Sequence, residues 1–375
     1  MKKVKKKIKR RIDFASIIIN LILICILSAL IIFIYYCMNY GIETTISEFA
    51  DNLEITKIGT LENTTTLELN NSQNPLYSME TSNTNENFDE KGYYYAQIDS
   101  NARKIYDALE SNIENLKSGN YTIEMGNTFN DLLNKEGGTE SLNSSYQQAL
   151  DAFVLDKPEV FYIDISKMLL MIYSRKTILR TTYTVSIKSE DNATYFSDEF
   201  KSKEEIETAS NQLKSIKSNL CSQLTGDTYN KVKQVHDCLI NNLEYEQTIS
   251  KDNIRNIYGA LVIHEVVCEG YAKSFKYILD DLKIPNIIVV GTATNSNNKT
   301  ESHAWNYVYI NEKWYAVDVT WDDPILIGGG KLPEKEKQKY FLKGSDTFNM
   351  NHIPNGKVSD NGIAFSYPEL SKENY

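Results

Sequence analysis

Three side chains in the second half of the sequence are of the types that together carry out nucleophilic acyl transfer: Cys268, His303 and Asp318. In such a set the imidazole accepts the thiol proton and later donates it to the leaving group. The carboxylate fixes the tautomer of the imidazole and supports its charged form. Taken alone, each residue has a more ordinary role, since a lone cysteine is most often a small buried apolar side chain. The hypothesis therefore depends on the elements that carry the three residues.

Cys268 lies at the start of a predicted helix. The apolar residues that follow it recur at helical spacing, at Ala272, Phe275, Ile278, Leu279 and Leu282. Unpaired N–H groups and the positive end of the helix dipole meet at a helix N-terminus, and both favour a thiolate over a thiol. Gly270 follows two residues later, and we expect its lack of a side chain to leave room for an approach to the sulfur. This placement makes Cys268 a candidate nucleophile.

His303 and Asp318 lie on a predicted β-hairpin formed by residues 302–310 and 313–320, which turns at Asn311 and Glu312. A two-residue loop places Ile310 opposite Lys313, and His303 and Asp318 then project from one face as diagonal neighbours, roughly 7–8 Å apart. A three-residue loop would instead place them on opposite faces. The other face carries residues that we expect to pack inward: Ala304, Val308, Ile310, Tyr315, Val317 and Val319.

The segments around these residues, VCEGYAKSF and GTATNSNNKTESHAWNYVYINEKWYAVDVTWDDP, closely resemble the transglutaminase-like superfamily of papain-like thiol enzymes. The resemblance covers about residues 205–345. It implies an α+β fold whose papain/transglutaminase-like core packs a nucleophile helix on an antiparallel sheet. It also implies that Cys268 is the nucleophile, His303 the base and Asp318 the orienting acid. Bacterial members often stand behind a membrane anchor, with an accessory domain before the core.

The sequence gives no reason to expect a metal or another cofactor. It has no Cys-x-x-Cys pair of the kind found in zinc-containing glycopeptide amidases, and no acidic run that matches the calcium sites of animal transglutaminases. Asp322 and Asp323 are typical of a solvated turn. The four histidines are scattered at positions 236, 264, 303 and 352, without the spacing of zinc ligands.

Cys221 and Cys238 lie on adjacent predicted helices and leave two interpretations open. An extracytoplasmic compartment would permit a disulfide between them. Both could equally be buried apolar side chains. The count of three cysteines after the first forty residues is odd, so one of them has to stay unpaired in either case.

The chain before the core predicts a small α+β domain over residues 92–200. Apolar spacing indicates one helix over 98–116, ended by Gly119, and a second over 144–155 that stops before Pro158. Segments 160–165, 167–174 and 177–188 are rich in β-branched and aromatic residues and predict a short antiparallel meander. This half contains neither His nor Cys after the first forty residues, so we expect a supporting or substrate-positioning role.

The first residues predict a membrane anchor. Residues 1–12 hold eight Lys and Arg and no acid, and residues 14–38 are 25 residues without a charge. A cleaved signal peptide would have a shorter apolar stretch, about 7–15 residues, and a small-x-small cleavage site. The positive-inside rule keeps the basic cluster in the cytoplasm and sends the rest outside. The expected order is a basic tail (1–12), a signal anchor (13–38), a low-complexity stalk (39–91), the accessory domain (92–200) and the transglutaminase-like domain (201–375).

The charge excludes nucleic acid as a partner of the main body. The formal net charge is −10, but with 32 basic against 50 acidic residues the 363 residues after the tail carry −18. Phosphate binding needs a basic surface.

The sequence therefore predicts a membrane-anchored, extracytoplasmic cysteine enzyme, a peptidase, amidase or transamidase, acting on protein or peptide substrates such as cell-wall peptides. The alternative is a catalytically silent binding or scaffolding module of the cell envelope.

Overall fold

The computed structural model describes residues 91–177, 180–197, 199–323, 333 and 335–375. The predicted tail and signal anchor, and all of the predicted stalk except Lys91, lie outside the described residues. Among the described residues, none of the helices combines the length and the apolar character that a membrane crossing requires. Apart from Ser174–Thr181, at the tip of a hairpin, the described residues belong to one compact unit.

The first predicted helix is observed in two pieces. Asp99 caps helix α1 (Ser100–Ser111), because its carboxylate accepts hydrogen bonds from the backbone N–H groups of the first turn. The chain leaves the helical conformation at Asn112 and resumes it in the short α2 (Ile113–Leu116). Helix α3 (Asn130–Leu133) is also short, whereas α4 (Gly138–Asp156) is longer than predicted and packs on α1.

The sheet of this half differs from the predicted meander in its first strand. The strands are β1 (Ile123–Gly126), β2 (Leu169–Lys176) and β3 (Thr181–Lys188), in the order β1-β3-β2. Residues 160–165 do not form a strand, because the chain turns there and the Asp164 carboxylate caps a 3₁₀ turn at Ile165–Lys167. The place beside β3 is taken by β1, antiparallel to it.

The second half begins with two long helices, α5 (Lys203–Gln223) and α6 (Thr228–Asn242), capped by the side chains of Ser202 and Asp227. Strand β4 (Glu244–Tyr245) pairs in parallel with β5 (Glu265–Val266). A π-helical turn, Gly259–Ile263, leads into β5 and then into helix α7 (Cys268–Asp281). Helix α8 (Ser345–Phe348) lies near the C-terminus.

A four-stranded antiparallel sheet completes this half, in the order β8-β7-β6-β9. Its strands are β6 (Asn286–Thr294), β7 (Thr300–Ile310), β8 (Lys313–Val317) and β9 (His352–Pro354). Helix α7 packs on β6 and β7, which confirms the expected α+β core with its helix on an antiparallel sheet. The predicted inward-facing residues of the β7–β8 hairpin are all buried.

The register of the β7–β8 hairpin is the predicted one. Ile310 pairs with Lys313, so the loop has two residues, Asn311 and Glu312. Both have positive φ angles, 47° and 61°, as the tightest hairpin turns require. Strand β8 ends at Val317 rather than at the predicted residue 320, because the chain turns at Asp318.

The two halves share one continuous set of buried apolar residues. The hydroxyl of the fully buried Tyr94 donates to the carbonyl of Ile288 on β6. The rings of Phe161 and Phe200 pack on Tyr258, which immediately precedes the π-helical turn. The domain boundary at residue 200 stays a prediction, but residues on both sides of it contact one another directly.

Replacing Glu312 with glycine should stabilise the protein. An L-residue in the left-handed conformation costs roughly 1–2 kcal/mol, and glycine removes that cost while adding about 0.5–1 kcal/mol of entropy loss. We expect Glu312→Gly to raise the free energy of unfolding by about 0.5 to 1 kcal/mol in a urea titration. The matched control is Lys313→Gly, one residue later in extended backbone, which should lower the free energy of unfolding. Equal effects of the two variants would contradict the argument.

Candidate active site

Cys268 is the first residue of α7 and is partly exposed. The preceding Val267 is extended and donates its N–H to the Ile254 carbonyl at 2.9 Å, which fixes the entry of the chain into the helix. The N–H groups of a first helical turn have no acceptor within the helix. The backbone N–H of Cys268 therefore has no acceptor within α7.

Gly270 has a different role from the one predicted. It is buried, and a Cβ placed there would lie 2.6 Å from Val266 side-chain atoms and 2.8 Å from the Ile254 carbonyl oxygen. Glycine is therefore required for the close packing of α7 on the segments that precede it, and it does not open a path to the sulfur. Upstream, His264 ends the π-helical turn with φ of 70°, so the nucleophile follows a stretch of irregular backbone.

His303 and Asp318 are in direct contact. His303 Nε2 lies 2.8 Å from Asp318 Oδ2, and both side chains are almost entirely buried. The backbone N–H of Trp321 donates to Asp318 Oδ1 at 3.1 Å. An ionised carboxylate only accepts hydrogen bonds, so Nε2 of His303 carries the hydrogen. The lone pair of the neutral imidazole is then on Nδ1, the nitrogen left for Cys268.

The charges of the three side chains are coupled. Burial favours neutral His303, but the charges of Asp318 and Cys268, and hydrogen bonds to both, outweigh it and raise the pKa of His303 to about 10. Burial also opposes the charge of Asp318, yet His303 and His352 together hold the pKa of that carboxyl well below its usual range. The structure thus brings the three predicted residues together, while the roles assigned to them stay a prediction.

His352 is a neighbour that the sequence analysis missed. It is fully buried on β9, and its Nε2 lies 3.0 Å from Asp318 Oδ2, the same oxygen that His303 contacts. Two side chains from distant segments meet there because β9 pairs with β6 and β6 pairs with β7. No local pattern around residue 352 indicated this, since the contact depends on the order of the strands.

The ligand atoms of His303, Asp318 and His352 all lie within 4.8 Å of one another, which is the composition and spacing of a metal site. Each imidazole, however, directs a nitrogen at one carboxylate oxygen at hydrogen-bond distance, 2.8 and 3.0 Å. A bound ion would have to displace both hydrogens and break the His303–Asp318 bond. The arrangement therefore fits a hydrogen-bonded base better than a metal ligand set.

In the turn after Asp318, Asp322 is buried and Asp323 is half-buried, which corrects the expectation of a solvated turn at residues 322 and 323. Asp322 Oδ2 lies 3.1 Å from Nε2 of the buried His236 on α6, and its Oδ1 accepts from the Tyr340 N–H at 2.8 Å. Asp323 accepts a hydrogen bond from the Tyr271 hydroxyl at 2.6 Å. Burial raises the pKa of both carboxyls to about 6. These contacts tie the turn to α6 and α7.

The remaining cysteines are not bonded to each other: Cys221 and Cys238 are free thiols, as is Cys268. Burial raises the pKa of both thiols, with neighbouring Asp281 adding to the shift at Cys221. Of the two interpretations, the observed one is that of unpaired, partly buried side chains. They offer internal references for the reactivity of Cys268.

Residues 214–319 match the family model of the transglutaminase-like superfamily. That range includes all three predicted site residues. This part of the chain is similar to the transglutaminase-like core. The resemblance predicted over residues 205–345 is thereby confirmed for its central part, and the accessory half lies outside the match.

Curated relatives of the transglutaminase-like core include kyphoscoliosis peptidase of Mus musculus, 24% identical over 170 residues, or 41% of this chain and 26% of that protein. The Homo sapiens protein is 24% identical over 161 residues, which are 40% of this chain and 24% of that protein. The chain spans only about a quarter of these relatives.

Two solved structures are similar to parts of the chain. A TGase has a TM-score of 0.29 at 15% identity, over 45% of this chain and 48% of its own. The periplasmic domain of TgpA from Pseudomonas aeruginosa has a TM-score of 0.23 at 15% identity, over 41% of this chain and 63% of its own. TM-scores this low do not establish a common overall shape.

A methyl group at Gly270 should destabilise the transglutaminase-like core. Gly270→Ala forces Val266 or the Ile254 carbonyl away from α7, and such overpacking costs about 1–3 kcal/mol. Chemical denaturation measures the loss. Ser274→Ala, one turn later on α7, is the matched control: Ser274 is buried and its hydroxyl has no hydrogen-bond partner, so we expect little change there. A Gly270→Ala protein as stable as the control would contradict the packing argument.

The His303–Asp318 pair should make stability depend on alkaline pH. A histidine pKa raised in the folded state contributes fully below its ordinary value near 6.5, and that contribution is lost as pH rises through about 10. The difference in unfolding free energy between wild type and His303→Gln should therefore shrink by roughly 2 to 4 kcal/mol between pH 6.5 and 10.5. His264→Asn, at an exposed position, is the control. A difference that stays constant with pH would show that His303 is not held charged.

Proposed function

We propose that this protein is a membrane-anchored, extracytoplasmic cysteine enzyme that transfers an acyl group from a peptide or carboxamide carbonyl to water or to an amine. The observation that carries the proposal is the state of His303, held between Asp318 and Cys268. Its imidazole is bonded to the carboxylate through Nε2, and its charged form is favoured by both neighbours. This is the electrostatic arrangement that a thiolate nucleophile and its general acid require.

The proposed chemistry uses the contact between His303 and Cys268. The Cys268 thiolate attacks the carbonyl carbon, an S–C bond forms, and the carbonyl electron pair moves to oxygen, where the Cys268 N–H can donate to it. Collapse of this intermediate breaks the C–N bond, and His303 gives its proton to the departing nitrogen. Water or an amine then attacks the thioester while His303 takes up a proton, and the C–S bond breaks. Asp318 stays ionised throughout and orients the imidazole.

The location is inferred from the sequence. The basic tail and the uncharged residues 14–38 support a signal anchor with the catalytic half outside the cytoplasm. Peptides of the cell envelope are the substrates that this location favours. Since the nucleophile, base and orienting acid are the same for hydrolysis and transamidation, the acceptor decides between the two reactions.

The decisive assay offers both acceptors at once. The full-length chain is incubated with a glutamine-containing peptide and a labelled primary amine, and mass spectrometry separates deamidated and cleaved products from amine conjugates. We expect Cys268→Ala to lose product formation by at least about a thousandfold, since the nucleophile is removed. Cys238→Ala, also a free thiol, is the matched control and should retain it. Product formation that survives Cys268→Ala would overturn the proposal.

A thiol-directed electrophile distinguishes the enzyme from a silent envelope module even if the peptide is a poor substrate. Modification selective for Cys268 and dependent on His303 supports an enzyme. Equal modification of Cys268, Cys221 and Cys238, or labelling that His303→Gln leaves unchanged, supports the binding or scaffolding module instead.

A further inference from the structure

The proposed mechanism assigns no role to His352, although its side chain contacts Asp318, the partner of His303. Nε2 of His352 and Nε2 of His303 lie 3.0 and 2.8 Å from the same oxygen, Oδ2 of Asp318. Because an ionised carboxylate only accepts, each nitrogen presents its hydrogen to that oxygen. Two N–H groups from two different strands therefore converge on one atom.

The turn that carries Asp318 is tied to α6 and α7 through Asp322 and Asp323, and its carboxylate has a further contact on the sheet that carries His303. Asp318 follows the end of β8, and its Oδ1 is held by the N–H of Trp321, three residues later in the same turn. That bond moves with the turn and does not place the turn relative to His303. His352 comes from β9, which pairs with β6, and β6 pairs with the strand that carries His303. The His352 bond thus fixes Oδ2 relative to the sheet of His303.

The ring of His352 is itself held in one orientation. It stacks on Phe348 with the ring centroids 4.0 Å apart and the planes at 23°. The rings of Trp321 and Trp305 contact it at 4.6 and 5.2 Å in edge-to-face arrangements. With rings on several sides, the direction of its N–H is set by packing, as a positioning group requires.

We propose that His352 is a positioning residue, which holds the shared oxygen of Asp318 so that the imidazole of His303 is presented to Cys268. This inference rests on the proposed function. His352 acts through Asp318 and contributes no proton to the reaction.

The charge state of His352 makes the role testable. The titratable groups that face it are Asp318 after β8, His303 on β7 and the ring of Tyr340. Burial and the charge of His303 together lower the pKa of His352, against the opposing effects of Asp318 and the Phe348 backbone. The lowered pKa favours the uncharged imidazole with its hydrogen on Nε2. Nδ1 lies 2.8 Å from the side-chain amide of Asn351, which presents its NH2 group to the neutral ring. In acid its cation would repel His303 and compete with it for Asp318 Oδ2.

The experiment measures the alkylation rate of Cys268 by iodoacetamide in the full-length chain between pH 5 and 9, with Cys238 followed in the same digest as an internal reference. His352→Phe keeps an aromatic ring but removes the N–H, and we expect the Cys268 rate at pH 7.5 to fall about tenfold, the effect of one hydrogen bond to a charged group. His352→Gln can donate to the same oxygen and cannot titrate. It should recover most of that rate and keep Cys268 reactive to lower pH than the wild type.

The outcomes separate this inference from the proposed function. Cys268 alkylation that does not depend on His303 would remove the proposed function and the positioning role together. Alkylation that depends on His303 but is the same in His352→Phe and wild type would remove the positioning role alone. If His352→Phe no longer unfolds cooperatively on heating, the His352→Gln variant decides. The proposal is overturned if Cys268 in that variant is alkylated as slowly as in His303→Gln and loses reactivity at the same acidic pH as in the wild type.

Discussion

The buried carboxylate of Asp318 is the interaction on which the site depends. An isolated anion with no exposed surface would be severely destabilised, and here it accepts hydrogen bonds from His303, His352 and the Trp321 backbone. Those donors come from β7, β9 and the turn after β8. A sheet in the order β8-β7-β6-β9 is therefore the arrangement that makes this charge tolerable, and the charge in turn keeps His303 protonated.

Backbone packing, more than side-chain contacts, places Cys268, the proposed nucleophile. The π-helical turn, the β4–β5 pair and the bond from Val267 to Ile254 deliver Cys268 to the start of α7. Gly270 lets these segments approach the helix closely. Cys268 is partly exposed, whereas the imidazole of His303 and the carboxylate of Asp318 are buried. Water is thus kept from the charged pair but not from the sulfur of the proposed nucleophile.

Much of this site could be predicted because its determinants are local. The hairpin turn at Asn311 and Glu312 fixes the register, and the register places His303 and Asp318 near each other. The helical spacing after Cys268 likewise predicts where α7 begins. His352 and the His236–Asp322 pair could not be found in this way, since each joins segments that only the tertiary fold brings together. The close packing at Gly270 could not be predicted either, because a sequence does not show which neighbour a missing side chain accommodates.

The contact of Phe161 and Phe200 with Tyr258 has a consequence for how such a core can be inherited. The family match begins at residue 214, yet aromatic rings from before that point pack on the residue that leads into the π-helical turn upstream of the nucleophile. The accessory half therefore packs directly against the segment that leads to Cys268. Exchange of one half in evolution would therefore require compensating changes in the other, and the two halves are expected to be inherited as a single unit.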